Sequence, residues 1–200
     1  SHPERDTVDW SRVHFWWVDE RFVARDSEDR NEAVARRAFL DAIELPTSNV
    51  HPIAASDEAP DAEAAASAYA AELATAGIDG AAWPVFDICF LGVGPDGHIA
   101  SLFPDRGEIR ITDSAVSAVH DSPKPPAERV TLTRPVITAS KRVWMVLAGP
   151  DKSAALGLAL AGASYHSVPA AGAKGTRRTI LFTDEATAAQ VPPELIDDEY

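Results

Sequence analysis

Apolar residues in this chain fall into short runs separated by stretches of helical pattern. Residues 13–18 (VHFWWV) form the first run and read as a strand, with Asp19-Glu20-Arg21 directly behind it. A helix is predicted over 28–43, with Ser27 as its N-cap and Pro46 beyond its end. The alanine-rich stretch 61–76 predicts a second helix, closed by Gly77. Residues 86–91 (FDICFL) read as a strand between Pro84 and a glycine loop, and 116–120 and 130–133 as two short strands. A strand over 142–147 (RVWMVL) runs into Gly149-Pro150-Asp151-Lys152. A helix over 154–160 ending near Gly162, a strand over 179–182 and a helix over 185–190 complete the series. The tail Asp197-Asp198-Glu199-Tyr200 reads as a solvated end.

Near-continuous apolar strands followed by helices predict an α/β fold, with a mostly parallel, doubly wound sheet covered on both faces. No stretch is rich enough in Pro, Gly or Ser to divide the chain, so residues 1–200 are expected to form one domain. The length of 200 residues suffices for a real core.

Charge narrows what such a domain can bind. With 31 Asp and Glu against 18 Lys and Arg, the net charge is −13, which argues against nucleic acid and against anionic membrane surfaces. An anionic small molecule would be repelled by the overall field, so a few focused cations must hold it. The single cysteine, Cys89, lies in an apolar run, excludes an internal disulfide and suits a reducing compartment. No signal-peptide pattern opens the sequence, and no apolar run approaches a membrane span. A cytoplasmic location is expected.

Three polar clusters are each expected directly after a strand, where ligands of open α/β sheets sit: Asp19-Glu20-Arg21, Gly92 to His98, and Gly149 to Lys152. In the second, Gly92, Gly94 and Gly97 allow close approach of main-chain N–H groups to a ligand, and Pro95 stiffens the turn. Asp96 is placed to cap a short helix starting at residues 99–102. His98 would then lie at the positive end of that helix, which keeps its ring neutral as a general base requires. The same residues also suit a plain tight turn. The spacing departs from the dinucleotide fingerprint G-x-G-x-x-G.

In the first cluster, Arg21 offers a planar fork for phosphate or sugar oxygens, with Asp19 or Glu20 to orient it. Lys152 opens a helix, a setting that favours anions. A fourth segment, Ser122-Pro123-Lys124-Pro125-Pro126, fixes Lys124 on a rigid ridge and so lowers the cost of ordering its amine at a site. His2, His14, His51, His120 and His166 show no metal spacing with each other or with Cys89, so no metal site is expected. A G-x-S-x-G nucleophile elbow is absent.

Taken in order, Asp19-Glu20-Arg21, the run from Gly92 through His98 to Ser101-Leu102-Phe103-Pro104, and Ser122 to Pro126 followed by Arg129-Val130-Thr131-Leu132-Thr133 resemble the glucosamine-6-phosphate isomerase/6-phosphogluconolactonase family, on its lactonase side. The resemblance covers roughly residues 10–185. It implies a NagB-type, Rossmann-like fold and hydrolysis of 6-phospho-D-glucono-1,5-lactone to 6-phosphogluconate in the pentose phosphate pathway, without metal or cofactor.

By position, the resemblance makes His98 the base that activates water and Asp96 its support. Asp19, Arg21, Gly92, Gly94, Lys124, Arg129 and Lys152 become candidates for binding the sugar phosphate lactone. No nucleic-acid or membrane partner is implied, and a monomer or weak homodimer is expected. The family opens on a strand and a Ser-Gly-Gly phosphate loop, a segment expected to be missing from these 200 residues. It also has Ser-Asn where this chain has Arg30-Asn31.

Two other functions share parts of this pattern. Glucosamine-6-phosphate deaminases carry an Asp-Gly-His loop on the same fold, but the Ser101-Leu102-Phe103-Pro104 extension and the Lys124 segment favour the lactonase. A non-catalytic sugar-phosphate sensor would need neither His98 nor its neighbours.

Overall fold

The computed structural model describes residues 3–195, so the charged tail lies outside the described residues. Its strands are β1 (Phe15–Trp16), β2 (Asp19–Arg21), β3 (Val50–His51), β4 (Ile88–Gly92), β5 (Val116–Val119), β6 (Arg129–Leu132), β7 (Arg142–Leu147) and β8 (Arg178–Thr183). The helices are α1 (Asn31–Ala38), α2 (Ala62–Thr75), α3 (Arg134–Thr138), α4 (Ser153–Leu160) and α5 (Glu185–Ala188). β4, β7 and β8 form a parallel sheet in that order, and β1 pairs in parallel with β3. β2, β6 and β5 form an antiparallel sheet. The fold is mixed α/β, with parallel sheets flanked by helices, as the apolar runs predict.

Helix α2 follows the sequence closely. Asp61 caps it by accepting from the backbone N–H of Ala64, and Ala62, Ala65, Ala66, Tyr69 and Leu73 make its buried stripe. That stripe packs on β5 and β6. Tyr69 fastens the helix to the β1–β2 segment: its hydroxyl accepts from Trp17 N at 2.9 Å and donates to Trp17 O at 3.1 Å.

α1 is shorter than the predicted 28–43. It begins at Asn31 because its cap comes from another element. The Glu20 carboxylate on β2 accepts from the N–H groups of Asn31 at 2.7 Å and Glu32 at 2.9 Å, replacing the expected cap from Ser27. At the other end Phe39 leaves helical geometry and sets its ring edge-on against Trp10, 5.2 Å between centroids. A separate 3-10 turn, Leu40–Ala42, follows. Two further departures bear on the site. Asp19-Glu20-Arg21 is a strand itself, paired antiparallel with β6, instead of a loop behind one. Residues 99–102 form no helix; Ile99 bridges to Val93 and Leu102, and Ala100 takes a positive φ.

β4 and β7 run side by side, with Gly92 opposite Val146 and Val93 N donating to Val146 O at 3.2 Å. The loops after them therefore leave the same edge of the sheet. The inner face of the sheet buries Cys89, Leu91, Val143, Met145 and Leu147 in the core. Cutting Leu91 or Leu147 to Ala would cost about 2–5 kcal/mol. On the outer face, Ile88, Phe90, Val146 and Phe182 are exposed, not buried as the continuous apolar runs predict. Burial pushes the Cys89 thiol up to about 12, which leaves it an inert core residue.

Candidate active site

The glycine loop closes on itself. Gly94 N donates to His98 O at 3.0 Å and Gly97 N to Gly94 O at 2.9 Å, so these two N–H groups are spent inside the loop and not offered to a ligand as expected. The two glycines serve another purpose. A Cβ on Gly94 would lie 2.1 Å from His98 Nδ1, so the ring fits only because that side chain is missing. Gly97 has a φ of +79° and backs onto Val168, whose Cγ1 would be 2.8 Å from a Cβ. Gly92 is exposed at the end of β4, where a Cβ would meet nothing.

His98 Nδ1 lies 2.5 Å from Asp96 Oδ1. With Nδ1–H donated to that carboxylate, Nε2 keeps its lone pair. The ring leans on Phe103, 4.7 Å between centroids, and its side chain is 15% exposed. Burial lowers the His98 pKa below its ordinary 6.5, helped by the charge of Lys124 and opposed by Asp96. The neutral ring is thus kept by burial rather than by a helix dipole. For Asp96, burial pushes up, but the hydrogen bond to His98 and the nearby charges outweigh it, and the carboxyl stays below its usual range.

Lys124 is delivered by the loop between β5 and β6. Its Nζ is 3.5 Å from His98 Nδ1 and 4.0 Å from Asp96 Oδ1, a charge beside the pair. That loop is held from inside by Arg129, whose guanidinium donates to the carbonyls of Lys124, Pro125 and Pro126 at 2.9, 3.1 and 3.1 Å. Arg129 Nη1 also reaches Ser101 Oγ at 3.5 Å, and the guanidinium sits 5.9 Å from the Phe103 ring centre. Arg129, expected to bind substrate, is buried, with Nε and Nη2 committed to the loop carbonyls and Nη1 turned towards Ser101.

Asp19 is buried behind the base. Ser101 Oγ donates to Asp19 Oδ2 at 2.7 Å, and Arg129 Nη1 stands 4.0 Å from the same oxygen. Burial raises the Asp19 pKa, offset only in part by Ser101, Arg129 and Arg21. Arg21 Nη1 donates to Asp29 O at 2.8 Å and Asn31 Oδ1 at 2.7 Å, while Asn31 Nδ2 donates back to Asp19 O at 2.9 Å. The structure therefore joins Arg21, Asp19, Ser101, Arg129, Lys124, Asp96 and His98 in one connected cluster. The sequence offers Glu20 to orient Arg21, and the structure sets its carboxylate on the start of α1, while Ser101 and Asn31 carry no sequence signal of their own for a place in the site. Ser101 lies within the motif around His98, and Asn31 remains from the Ser-Asn pair.

Lys152 stands apart from this cluster. It ends a 3-10 turn, Pro150–Lys152, at the start of α4, on the sheet edge that also carries the glycine loop. Beside it, Ser153 Oγ is buried and has no partner among the described residues. No group of three or more His, Cys, Asp or Glu among the described residues is arranged to hold a metal ion.

Comparison with known proteins identifies the family. The family model described as glucosamine-6-phosphate isomerases/6-phosphogluconolactonase matches residues 1–182. The 6-phosphogluconolactonase of Streptomyces coelicolor is 49% identical over 197 residues, which cover 96% of this chain and 76% of that one. The crystal structure of 6-phosphogluconolactonase from Thermotoga maritima superposes with a TM-score of 0.76 at 31% identity, over 88% of this chain and 74% of the other. A monomeric glucosamine-6-phosphate deaminase superposes with a TM-score of 0.75 at 21% identity, over 93% and 78%, a likeness of fold. The chain belongs to the glucosamine-6-phosphate isomerase/6-phosphogluconolactonase family, among its 6-phosphogluconolactonases.

Proposed function

We propose that this chain hydrolyses 6-phospho-D-glucono-1,5-lactone with His98 as the general base. The observation that carries this reading is the Asp96–His98 contact of 2.5 Å, which commits Nδ1 and leaves Nε2 as the only basic atom of the ring. Nε2 takes a proton from water as the water oxygen bonds to the lactone carbonyl carbon. The tetrahedral intermediate then breaks its bond to the ring oxygen, which receives the proton held by His98. The product is the open-chain acid, which ionises to 6-phosphogluconate. A base of this kind contributes about 100- to 10,000-fold.

Lys124, beside the base, supplies positive charge to the sugar end of the substrate. Arg21 and Lys152 are assigned to the phosphate and sugar oxygens. Lys152 is supported by its place at the start of α4 and by the unpartnered Ser153 hydroxyl next to it. Arg129 and Asp19 hold the cluster together through Ser101.

We assign the reaction to the pentose phosphate pathway, with residues 1–200 working as one catalytic unit that needs no cofactor and acts as a monomer or weak homodimer. The buried, unreactive Cys89 is in keeping with the reducing cytoplasm. No described helix is long and apolar enough to cross a membrane.

The reading is tested by supplying fresh lactone and following its loss and the appearance of 6-phosphogluconate, with spontaneous hydrolysis subtracted. Hydrolysis is expected. Release of ammonia from glucosamine 6-phosphate, with no lactone opening, would overturn it in favour of a deaminase.

A further inference from the structure

The loop that carries Lys124 has a second fastening, on its outer side. His120, just past the end of β5, places Nδ1 2.7 Å from Glu128 Oε2 and Nε2 2.5 Å from Glu63 Oε1. Glu63 belongs to the first turn of α2, and Glu128 sits immediately before β6 at the far end of the loop. A neutral imidazole has one N–H to give, so holding two carboxylates through both nitrogens requires the imidazolium. The segment so tied is short and closed: Ser122 N donates to Ala127 O at 3.0 Å, and Phe22 N to Glu128 O at 3.0 Å. Arg129 pins its inner side, and Lys124 projects from it to within 3.5 Å of His98 Nδ1.

We propose that His120 is a positioning residue: its imidazolium clasps the loop of Lys124 to α2, and so holds the Lys124 ammonium beside the base. The inference rests on the lactonase reading only for its kinetic consequence. Facing the ring are Glu63 from α2 and Glu128 from the loop, and Asp121 follows it in the chain. Arg106 binds the His120 carbonyl at 2.6 Å, with Glu108 3.9 Å from Arg106.

The two carboxylates, Glu63 first and Glu128 second, raise the His120 pKa above its ordinary 6.5. The clasp is therefore complete below about 6.5 and is lost as pH rises through the raised value. All three side chains are close to half exposed or more, so the effect is modest and screened by salt.

His120→Gln tests this. At pH 6 and low salt its KM should exceed that of the wild type by about two- to fivefold, with kcat within about twofold. Wild-type KM should climb from pH 6 to 8.5 towards the variant's value, while the variant loses that climb.

Two readouts need no turnover. The His120 ring resonance should titrate above 6.5 and move down in Glu63→Gln. Hydrogen exchange of residues 122–128, corrected for its intrinsic pH dependence, should quicken with pH in the wild type alone. Wild-type KM and pH profile in His120→Gln, or an ordinary His120 titration, would overturn the clasp. An inactive wild type would fault the lactonase reading, and the titration and exchange would still decide the clasp.

Discussion

Asp96 Oδ1 and His98 Nδ1 lie 2.5 Å apart at the two ends of a three-residue turn. The contact sets the tautomer of the ring, and the turn sets its direction. Burial then keeps that ring neutral, because an imidazolium there would give up more hydration than Asp96 returns.

The pH dependence of turnover follows from that balance. The His98 pKa is lowered from 6.5 in the free protein, and the active form is the neutral one, so kcat/KM should not be limited by His98 above pH 6.5. It should fall as pH drops through the lowered value. A kcat/KM profile whose His98 limb lies clearly above 6.5 would contradict burial as the dominant influence.

Gly94→Ala should cost activity more than fold. Its new Cβ would stand 2.1 Å from the His98 ring and 2.6 Å from Asp96 Oδ1, so the pair must shift from its present geometry. Displacement of a reacting group by about 1 Å is worth about 100-fold in rate. A kcat loss of that order with little change in Tm is expected; wild-type kcat would show that the ring has room to spare.

Glu20→Gln should weaken the fold. The Glu20 carboxylate accepts from the backbone N–H groups of Arg21, Asn31 and Glu32 at 2.9, 2.7 and 2.9 Å, and lies 3.8 Å from buried Arg30. Placing an amide group among these donors should cost about 1–3 kcal/mol. The measurement is thermal unfolding, where that loss lowers Tm by several degrees. KM should rise as well, since Asn31 positions Arg21.

Arg21→Ala and Lys152→Ala should act on binding. Each removes a cation assigned to the anionic substrate, so KM should increase by about tenfold, equivalent to about 1.4 kcal/mol, with kcat nearly kept. Initial-rate kinetics on each variant check this. If neither moves KM, the assignment of these cations to the substrate is wrong.

Much of this molecule is written locally in its sequence. α2 has its cap at Asp61 and its stripe at helical spacing, and β7 spans residues 142–147 as its apolar run predicts. The glycine loop could be placed at the edge of a sheet because β4 is an apolar run ending in Gly92. Elements shaped by distant partners were harder to read. α1 starts late because Glu20, eleven residues before Asn31, supplies its cap, and Asp19–Arg21 is a strand because β6 lies beside it. Ser101 reads as part of a short helix over 99–102, yet it hands its hydroxyl to Asp19, 82 positions earlier. Arg129 reads as a ligand-binding cation, and only the folded loop shows its Nε and Nη2 donors spent on the carbonyls of residues 124–126.

The most direct measurement is the hydrolysis of fresh 6-phosphogluconolactone by His98→Ala, with spontaneous hydrolysis subtracted and folding checked by circular dichroism. The Asp96–His98 geometry predicts a loss of kcat of about 100- to 10,000-fold with binding of 6-phosphogluconate mostly kept. A folded variant that hydrolyses the lactone at the wild-type rate would contradict it.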